Sequence, residues 1–269
     1  MDFIFLDSGL GGLPYMEYLK ESNPESTCIY LADTYNFPYG EKTADEILNA
    51  VSNNVSILLK KWNPKAIVLA CNTMTVVAIK NLRQKFPDTS FIGTVPAIKV
   101  AAEKTKNKRI GLLATQRTVQ DSYTQDLIKK YASDCHVVCR GDSHLISFIE
   151  NKLHHATQKE RQEAILPAVE FFNDQKVDSV ILGCTHFLHV VEDIKLAFGK
   201  KVQVIDSRDG VVRQALKVAF SKKTSYQKSD LEIQDRSFFI TGTRKNTTVE
   251  FYQDFCSKHG IPFGGVIKE

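Results

Sequence analysis

Two cysteines, Cys71 and Cys184, occupy matching positions in the two halves of the 269-residue sequence. Each follows a short aliphatic and β-branched run, and each precedes polar residues, Asn72-Thr73 in one half and Thr185-His186 in the other. A free cysteine thiol has a pKa of about 8.5, which a helix amino terminus or a polar neighbour can lower into the reactive range. A thiolate on one face of a carbon atom can remove a proton while a thiol on the opposite face returns one. The pair therefore predicts stereoinversion by acid-base catalysis without a cofactor.

Apolar runs that alternate with helical patterns must position these thiols. The predicted strands are 3–6, 28–32, 66–70, 91–93, 109–114, 136–139, 177–182, 202–205 and 237–241. This alternation predicts an α/β fold with mainly parallel sheets flanked by helices. Because a strand that delivers a cysteine occurs in both halves, we expect two similar domains related by a pseudo-twofold axis, with the active site in the cleft between them. Residues 1–95 with 208–269 would form the first domain, and residues 96–207 the second.

Local patterns give more detailed predictions for the helices. Thr43 with Glu46, and Thr157 with Glu160, have the spacing of capping boxes at helix starts. Pro167 is expected to kink the second of these helices. The sequence further predicts one helix from the Thr115 region through Tyr131, a helix after Cys184 that carries Leu188, Val191, Ile194 and Phe198, a helix over 209–220, a polar stretch over 221–230, and a helix over 247–258.

In an open parallel sheet, ligands bind beyond the carboxyl ends of the strands, near helix amino termini. The residues predicted at these ends are Asp7-Ser8, Pro38-Tyr39-Gly40, Cys71-Asn72-Thr73, Thr115 with Thr118, and Cys184-Thr185-His186. Their thiols, hydroxyls and amides favour a small, polar, anionic ligand whose carboxylates are held by backbone N–H groups and hydroxyls.

Composition argues against several classes of function. Thirty-five Lys and Arg residues against 31 Asp and Glu leave a net charge of +4, which is too small for a nucleic-acid-binding surface. No apolar run approaches the roughly 20 residues that cross a bilayer. The amino terminus lacks the basic flank and cleavage site of a signal peptide. We therefore expect a cytoplasmic protein without a membrane partner, whose six cysteines are reduced thiols.

Taken together, these segments resemble the cofactor-independent aspartate and glutamate racemases, and most of all the glutamate racemases. The matching segments are 5–12, Asp33-Thr34, Pro38-Tyr39-Gly40, Ala70-Cys71-Asn72-Thr73, Thr115 with Thr118, Gly183-Cys184-Thr185-His186 and Ile205-Asp206-Ser207. Each segment alone is a weak signal, whereas all of them in one order are specific. The resemblance implies an isomerase that interconverts L-glutamate and D-glutamate, with neither cofactor nor metal, and that supplies D-glutamate for peptidoglycan synthesis.

The resemblance also implies roles for individual residues. Cys71 would act on D-glutamate and Cys184 on L-glutamate. Asp7 would support Cys71, His186 would support Cys184, and Glu150 would be an auxiliary acid. The residues expected to hold the substrate are Asp7, Ser8, Pro38, Tyr39, Gly40, Asn72, Thr73, Thr115, Thr118, Thr185 and His186.

The chain departs from the family pattern in two places. Phe187-Leu188 follow His186 where the family has Tyr-Pro. The segment 139–142, Cys-Arg-Gly-Asp, precedes Glu150 where the family has Cys-Pro. These differences concern the surroundings of Glu150 and the start of the helix after His186, and they leave both cysteines unchanged.

Other kinds of site are weaker alternatives. Gly9-Leu10-Gly11 is similar to part of a dinucleotide-binding fingerprint, but Pro14 stands where the third glycine would be. Cys184 and His186, with Cys71 as a third ligand, could bind zinc, although no carboxylate or second histidine is placed to complete that site.

Two questions of function stay open from the residues alone. The substrate could be glutamate, another acidic amino acid such as aspartate, or a hydantoin. A non-catalytic, two-lobed amino-acid sensor could use the same hydroxyl-rich residues, although a sensor has no need for paired thiols. Beyond the small-molecule substrate, a homodimer is an open alternative to a monomer.

Overall fold

The computed structural model of the protein describes residues 1–221, 234–243 and 248–267. The strands are β1 (Phe3–Asp7), β2 (Cys28–Ala32), β3 (Ala66–Leu69), β4 (Phe91–Gly93), β5 (Arg109–Ala114), β6 (His136–Gly141), β7 (Ser179–Leu182), β8 (Gln203–Ile205), β9 (Phe238–Ile240) and β10 (Phe263–Val266). The helices are α1 (Leu13–Ser22), α2 (Ala44–Lys61), α3 (Asn72–Lys85), α4 (Ile98–Lys104), α5 (Gln116–Gln120), α6 (Ser122–Tyr131), α7 (Ser143–Asn151), α8 (Gln158–Asp174), α9 (Val191–Phe198), α10 (Arg208–Ser221) and α11 (Val249–Lys258).

The described strands form two sheets, and all their pairings are parallel. At least one helix separates each strand from the next along the chain. The predicted α/β class with parallel sheets flanked by helices is therefore confirmed.

The first compact unit contains Met1–Thr94 and Arg208–Glu269. Its sheet has the order β10-β9-β2-β1-β3-β4, and β1 is buried along its whole length. A parallel strand covered on both faces must be apolar throughout, which explains the continuous run Phe-Ile-Phe-Leu. Leu6 of β1 pairs with Leu69 of β3. Ser8 and Cys71, each two residues further on, therefore lie beyond the same end of neighbouring strands.

The second compact unit contains Val95–Ser207. Its sheet has the order β6-β5-β7-β8, and Leu113 of β5 pairs with Leu182 of β7. Thr115 and Cys184 follow these residues by two positions, as Ser8 and Cys71 do in the first unit. Each cysteine thus follows a strand that pairs with an interior strand of its own sheet. The division into independently folding domains at the predicted boundaries stays a prediction.

The capping boxes are confirmed, because Thr43 and Glu46 form one at α2, and Thr157 and Glu160 form the other at α8. Pro167 lies inside α8, which continues through it to Asp174. The predicted single helix ending at Tyr131 is wrong. The Asp121 carboxylate accepts a hydrogen bond from Tyr123 N at 2.9 Å and caps a new helix, α6, so that α5 ends before it.

The helix predicted to carry Leu188, Val191, Ile194 and Phe198 is confirmed from Val191 onwards, but Leu188 lies in a 3-10 turn before it. Thr185–Val190 form a 3-10 turn, and α9 begins only at Val191. The backbone bond from Phe187 N to Cys184 O, 3.2 Å long, joins residues three apart, as in a 3-10 helix.

Two predicted segments extend beyond the described residues. Most of the polar stretch 221–230 lies outside them, as does the start of the helix predicted over 247–258, which is described from Val249. The structure adds α4 and β10, which the sequence patterns did not predict. Among the described helices, none has both the length and the apolar character needed to cross a membrane.

Candidate active-site residues

Cys71 is the amino-terminal cap residue of α3, directly after β3. Its side chain is only 6% exposed. The 14-residue α3 directs the positive end of its dipole towards this position, which favours a thiolate. The predicted placement of Cys71 at a strand end and a helix start is therefore confirmed.

Asp7 ends β1, the strand beside β3, and is fully buried. Its carboxylate accepts a hydrogen bond from Ser8 N at 2.6 Å, and its Oδ2 atom lies 3.4 Å from Tyr30 Oη. A Cβ atom on Gly12 would lie 3.0 Å from Asp7 Oδ2 and 2.6 Å from the Cβ atom of Ala70. Only glycine at position 12 therefore lets α1 begin this close to the carboxylate and to the residue before Cys71.

Tyr30 is a supporting residue that the sequence analysis missed. Its hydroxyl lies 2.8 Å from Gly9 O and accepts a hydrogen bond from Gly12 N at 3.0 Å. It thereby fixes the glycine turn after Asp7. A tyrosine in the otherwise aliphatic strand β2 was the available signal, because a buried phenol needs a hydrogen-bond partner.

Tyr39 starts a short 3-10 turn, Tyr39–Glu41, and is preceded by Pro38. Its hydroxyl donates to Asp33 Oδ2 at 2.5 Å. Burial raises the pKa of the Tyr39 phenol, and the negative charges of Asp33, Cys71 and Asp7 raise it further. The phenol thus shares one electrostatic neighbourhood with the thiol and with both carboxylates. Gly40, the other predicted residue of this turn, is half-buried.

Asn72 and Thr73 open α3, and each is 2% exposed. Within the described residues, neither the amide nitrogen nor the amide oxygen of Asn72 has a hydrogen-bond partner. Burying an unsatisfied amide costs about 1–3 kcal/mol per group, so such groups generally have a reason. This buried amide lies directly beside Cys71.

In the second unit, Cys184 follows β7 and is 5% exposed. Its Sγ atom lies 3.8 Å from His186 Nδ1. The 3-10 turn after Cys184 has six residues and gives a weaker dipole than the 14-residue α3 after Cys71. The imidazole supplies a different source of positive charge for this thiol.

His186 and Glu150 form a buried pair, with 2.8 Å between His186 Nε2 and Glu150 Oε2. The exposed fractions of their side chains are 3% and 1%. Burial on its own would lower the pKa of His186, but the hydrogen bonds and charges of Cys184 and Glu150 outweigh it and raise that pKa well above its ordinary value. The raised pKa favours the protonated form of the imidazole, which lies between a thiol and a carboxylate.

The position of Glu150 depends on α7, where it lies in the last turn. Asp142 caps this helix by accepting a hydrogen bond from Leu145 N at 3.0 Å, and Arg140 Nε donates to the same carboxylate at 3.1 Å. Asp142 and Arg140 belong to the segment that departs from the family pattern. Although this segment differs from the family pattern, the helix that carries Glu150 still has a capped start.

Three threonines complete the predicted residues of the second unit. Thr115 caps α5, and its Oγ1 atom accepts a hydrogen bond from Thr118 N at 3.0 Å and lies 2.9 Å from Thr118 Oγ1. Thr185, which follows Cys184 directly, is 1% exposed. In each unit, the cysteine and its polar neighbours thus follow the carboxyl end of a strand of that unit's own sheet.

The zinc alternative lacks a set of ligands in the described chain. Within the described residues, Cys184 and His186 do not belong to any group of three His, Cys, Asp or Glu whose ligand atoms all lie within 4.8 Å of one another. Structural zinc sites use four protein ligands, and catalytic sites generally use three.

Comparisons with known proteins bear directly on these residues. The sequence profile of the Asp/Glu/Hydantoin racemase family matches residues 15–215. The chain belongs to this racemase family. The match includes Cys71 and Cys184 with their polar neighbours, and it confirms the family predicted from the sequence.

Individual racemases of the family are similar over nearly the whole chain. The glutamate racemase of Bartonella bacilliformis is 40% identical over 267 residues, 97% of each protein. That of Treponema pallidum is 34% identical over 265 residues, 98% of this chain and 96% of the relative. The crystal structure of Escherichia coli glutamate racemase, in complex with L-glutamate and the activator UDP-MurNAc-Ala, has a TM-score of 0.85 at 28% identity. It covers 99% of this chain and 97% of that one.

Proposed function

We propose that the protein is an isomerase that interconverts L-glutamate and D-glutamate by proton transfer through Cys71 and Cys184. The hydrogen-bonded chain from the Cys184 thiol through His186 to Glu150 carries this proposal. A buried imidazolium beside a thiol stabilises the thiolate, and a carboxylate behind it fixes the ring. The similarity to glutamate racemases over most of the chain supports glutamate as the substrate.

In the direction from L-glutamate, the Cys184 thiolate removes the α-proton and the Cys71 thiol delivers a proton to the opposite face. In the reverse direction, the Cys71 thiolate removes the proton from D-glutamate and the Cys184 thiol returns one. His186 stabilises the Cys184 thiolate, and Asp7 supports Cys71 in the corresponding role. One thiol ends each turnover deprotonated and the other protonated, so the two exchange roles between directions.

The amide of Asn72 has no hydrogen-bond partner among the residues that the structure describes, which supports a binding role, since a substrate carboxylate or ammonium group would satisfy its donor or its acceptor. The other substrate contacts in the proposal are Asp7, Ser8, Pro38, Tyr39, Gly40, Thr73, Thr115, Thr118, Thr185 and His186. The proposed enzyme acts in the cytoplasm and supplies D-glutamate for peptidoglycan synthesis, and a homodimer stays an open alternative to a monomer.

Proton exchange at the α-carbon tests substrate and reaction together. L-Glutamate, L-aspartate and a hydantoin are each incubated with the protein in deuterated water, and loss of the α-proton signal is followed by NMR. Only glutamate is expected to become labelled at the α-carbon while its enantiomer accumulates. Binding of glutamate without labelling would support the sensor instead and would overturn the proposal.

Cysteine variants test the two-thiol mechanism. Cys71→Ser and Cys184→Ser should each reduce racemisation by a factor of about 100 or more, because a serine hydroxyl is a far weaker acid than a thiol. Cys135→Ser is the matched control, since Cys135 is a half-buried thiol in the loop before β6, and full activity is expected. Full activity of either active-site variant would disprove the mechanism.

A further inference from the structure

The Asp33 carboxylate is the centre of a buried cluster of hydrogen bonds in the first unit. It follows β2 and is fully buried. Tyr39 Oη donates to it at 2.5 Å, Thr241 Oγ1 at 2.7 Å, and Asn36 Nδ2 at 3.0 Å to each of its oxygens. Hydrogen bonds to an ionised acceptor are roughly twice as strong as those between neutral groups. We call Asp33, Asn36, Tyr39 and Thr241 the Asp33 cluster.

Thr241 and Gly242 form hydrogen bonds with the turn that follows Asp33. Thr241 N donates to Ala32 O at 3.1 Å, and Thr241 Oγ1 accepts a hydrogen bond from Tyr35 N at 3.1 Å. Thr34 Oγ1 donates to Gly242 O. Thr241 comes directly after β9, which pairs with β2. A segment far along the chain, beyond the segments that carry the family resemblance, thus fixes the turn that leads to Tyr39.

The hydroxyl of Thr241 acts in both directions at once. It donates to Asp33 and accepts from the backbone of Tyr35, so it joins the carboxylate to the turn. Asp33 in turn fixes the Tyr39 side chain at the start of the Tyr39–Glu41 turn. Tyr39 and Cys71 pack in one buried cluster of side chains, so the far end of the Asp33 cluster lies beside the proposed chemistry.

We propose that Thr241 is a positioning residue for racemisation, acting through Asp33 on Tyr39 and Gly40. This inference rests on the proposed function, in which the Tyr39-Gly40 turn holds glutamate. Loss of the Thr241 hydroxyl leaves Tyr35 N without this acceptor and Asp33 with one donor fewer. The turn then samples more conformations. A smaller fraction of the protein has the conformation that binds substrate, which weakens binding.

Steady-state kinetics in both directions test the inference, with Thr241→Val as the central variant because valine has nearly the shape of threonine without its hydroxyl. KM for L-glutamate and for D-glutamate should each rise about 3- to 10-fold, the effect of one lost hydrogen bond. The value of kcat should change less than KM. Thr241→Ser retains the hydroxyl, so its KM should stay within a factor of about 2 of the wild-type value. This change is smaller than the one expected when a hydrogen bond is lost.

A double-mutant cycle separates positioning from a general loss of stability. If Thr241 acts through Asp33 on the Tyr39 side chain, the double variant with Thr241→Val and Tyr39→Phe will raise KM by a smaller factor than the product of the factors for the two single variants. Ser56→Ala is the matched control, since Ser56 donates at 2.9 Å to Ser52 O within α2, and no change in KM is expected.

The outcomes distinguish the two proposals. A wild-type protein that does not racemise glutamate overturns the proposed function. An active wild type together with an unchanged KM for Thr241→Val overturns the positioning role alone, as does a lower melting temperature without a change in KM. Independent, fully multiplicative effects in the cycle also contradict the role, because Thr241 would then not act through Tyr39.

Discussion

His186 Nε2 lies 2.8 Å from Glu150 Oε2, and the two residues are 36 positions apart in the sequence. The contact joins the 3-10 turn after β7 to the last turn of α7. It makes the histidine beside Cys184 part of a buried thiol, imidazole and carboxylate arrangement. In the first unit, Cys71 lies instead at the start of a regular α-helix. The two thiols therefore have different surroundings, an imidazole beside Cys184 and a helix amino terminus at Cys71.

Glu150→Gln is expected to lower the pKa of His186, because the variant loses a negative charge that raises this pKa in the wild type. A raised pKa in the folded state gives stability that is present below the unfolded value of about 6.5 and is lost as the pH rises through the folded value. The variant should therefore be less stable by about 1–3 kcal/mol near pH 6, with a smaller difference at higher pH. Histidine NMR titration and urea unfolding at several pH values measure both effects. An unchanged pKa of His186 would show that the pair is not electrostatically coupled.

His186→Asn should make the two directions of racemisation differ in their isotope effects. The equilibrium constant between enantiomers is one, so kcat/KM must fall equally in both directions. Removal of the proton by Cys184 becomes slower relative to the other steps when the imidazolium is lost. The primary deuterium isotope effect should therefore increase more with α-deuterated L-glutamate than with the D enantiomer. His136→Asn, on the exposed side of β6, is the control, with wild-type isotope effects expected. Equal increases for both enantiomers would contradict the assignment of Cys184 to L-glutamate.

Asn72→Ala is expected to weaken substrate binding without destabilising the unliganded protein. Both polar atoms of this buried amide are without hydrogen-bond partners in the described chain, so the unliganded protein loses no hydrogen bond when they are removed. KM should rise by a factor of about 10 or more, as for the loss of a hydrogen bond to a charged group. Thermal unfolding and steady-state kinetics measure the two effects. Asn54→Ala serves as the control, because Asn54 lies in α2 and its buried Nδ2 also has no hydrogen-bond partner within the described residues, and KM should stay unchanged.

Gly12→Ala should destabilise the first unit by about 1–3 kcal/mol, the usual cost of inserting a methyl group into a well-packed site. The new Cβ atom would lie 2.6 Å from both the Cβ atom and the carbonyl oxygen of Ala70, with Asp7 Oδ2 at 3.0 Å. Activity should fall with stability, since both neighbours belong to the surroundings of Cys71. Gly210→Ala, in α10 with nothing within 4 Å of its added Cβ atom, should instead stabilise by up to about 1 kcal/mol. Equal stability of the two variants in urea unfolding would rule out this steric account.

The sequence by itself determined the fold class, the two cysteine-bearing strands and both capping boxes. These features are local, because apolar runs, the spacing from Thr43 to Glu46, and polar residues after a strand are visible within a few positions. The family was also recognisable, since its segments occur in one order along the chain.

The tertiary structure decided which residues support the predicted ones. Tyr30 reaches the turn after Asp7 because β1 and β2 are neighbours, and Glu150 reaches His186 only once α7 packs beside the 3-10 turn. Thr241 meets Asp33 through the pairing of β9 with β2, across 208 positions of sequence. Contacts of this kind depend on which strands become neighbours and on which faces of the helices are buried, and no local pattern of residues encodes that choice. The sequence therefore predicted which groups could do the chemistry, and the packing of distant segments determined their partners and their electrostatic surroundings.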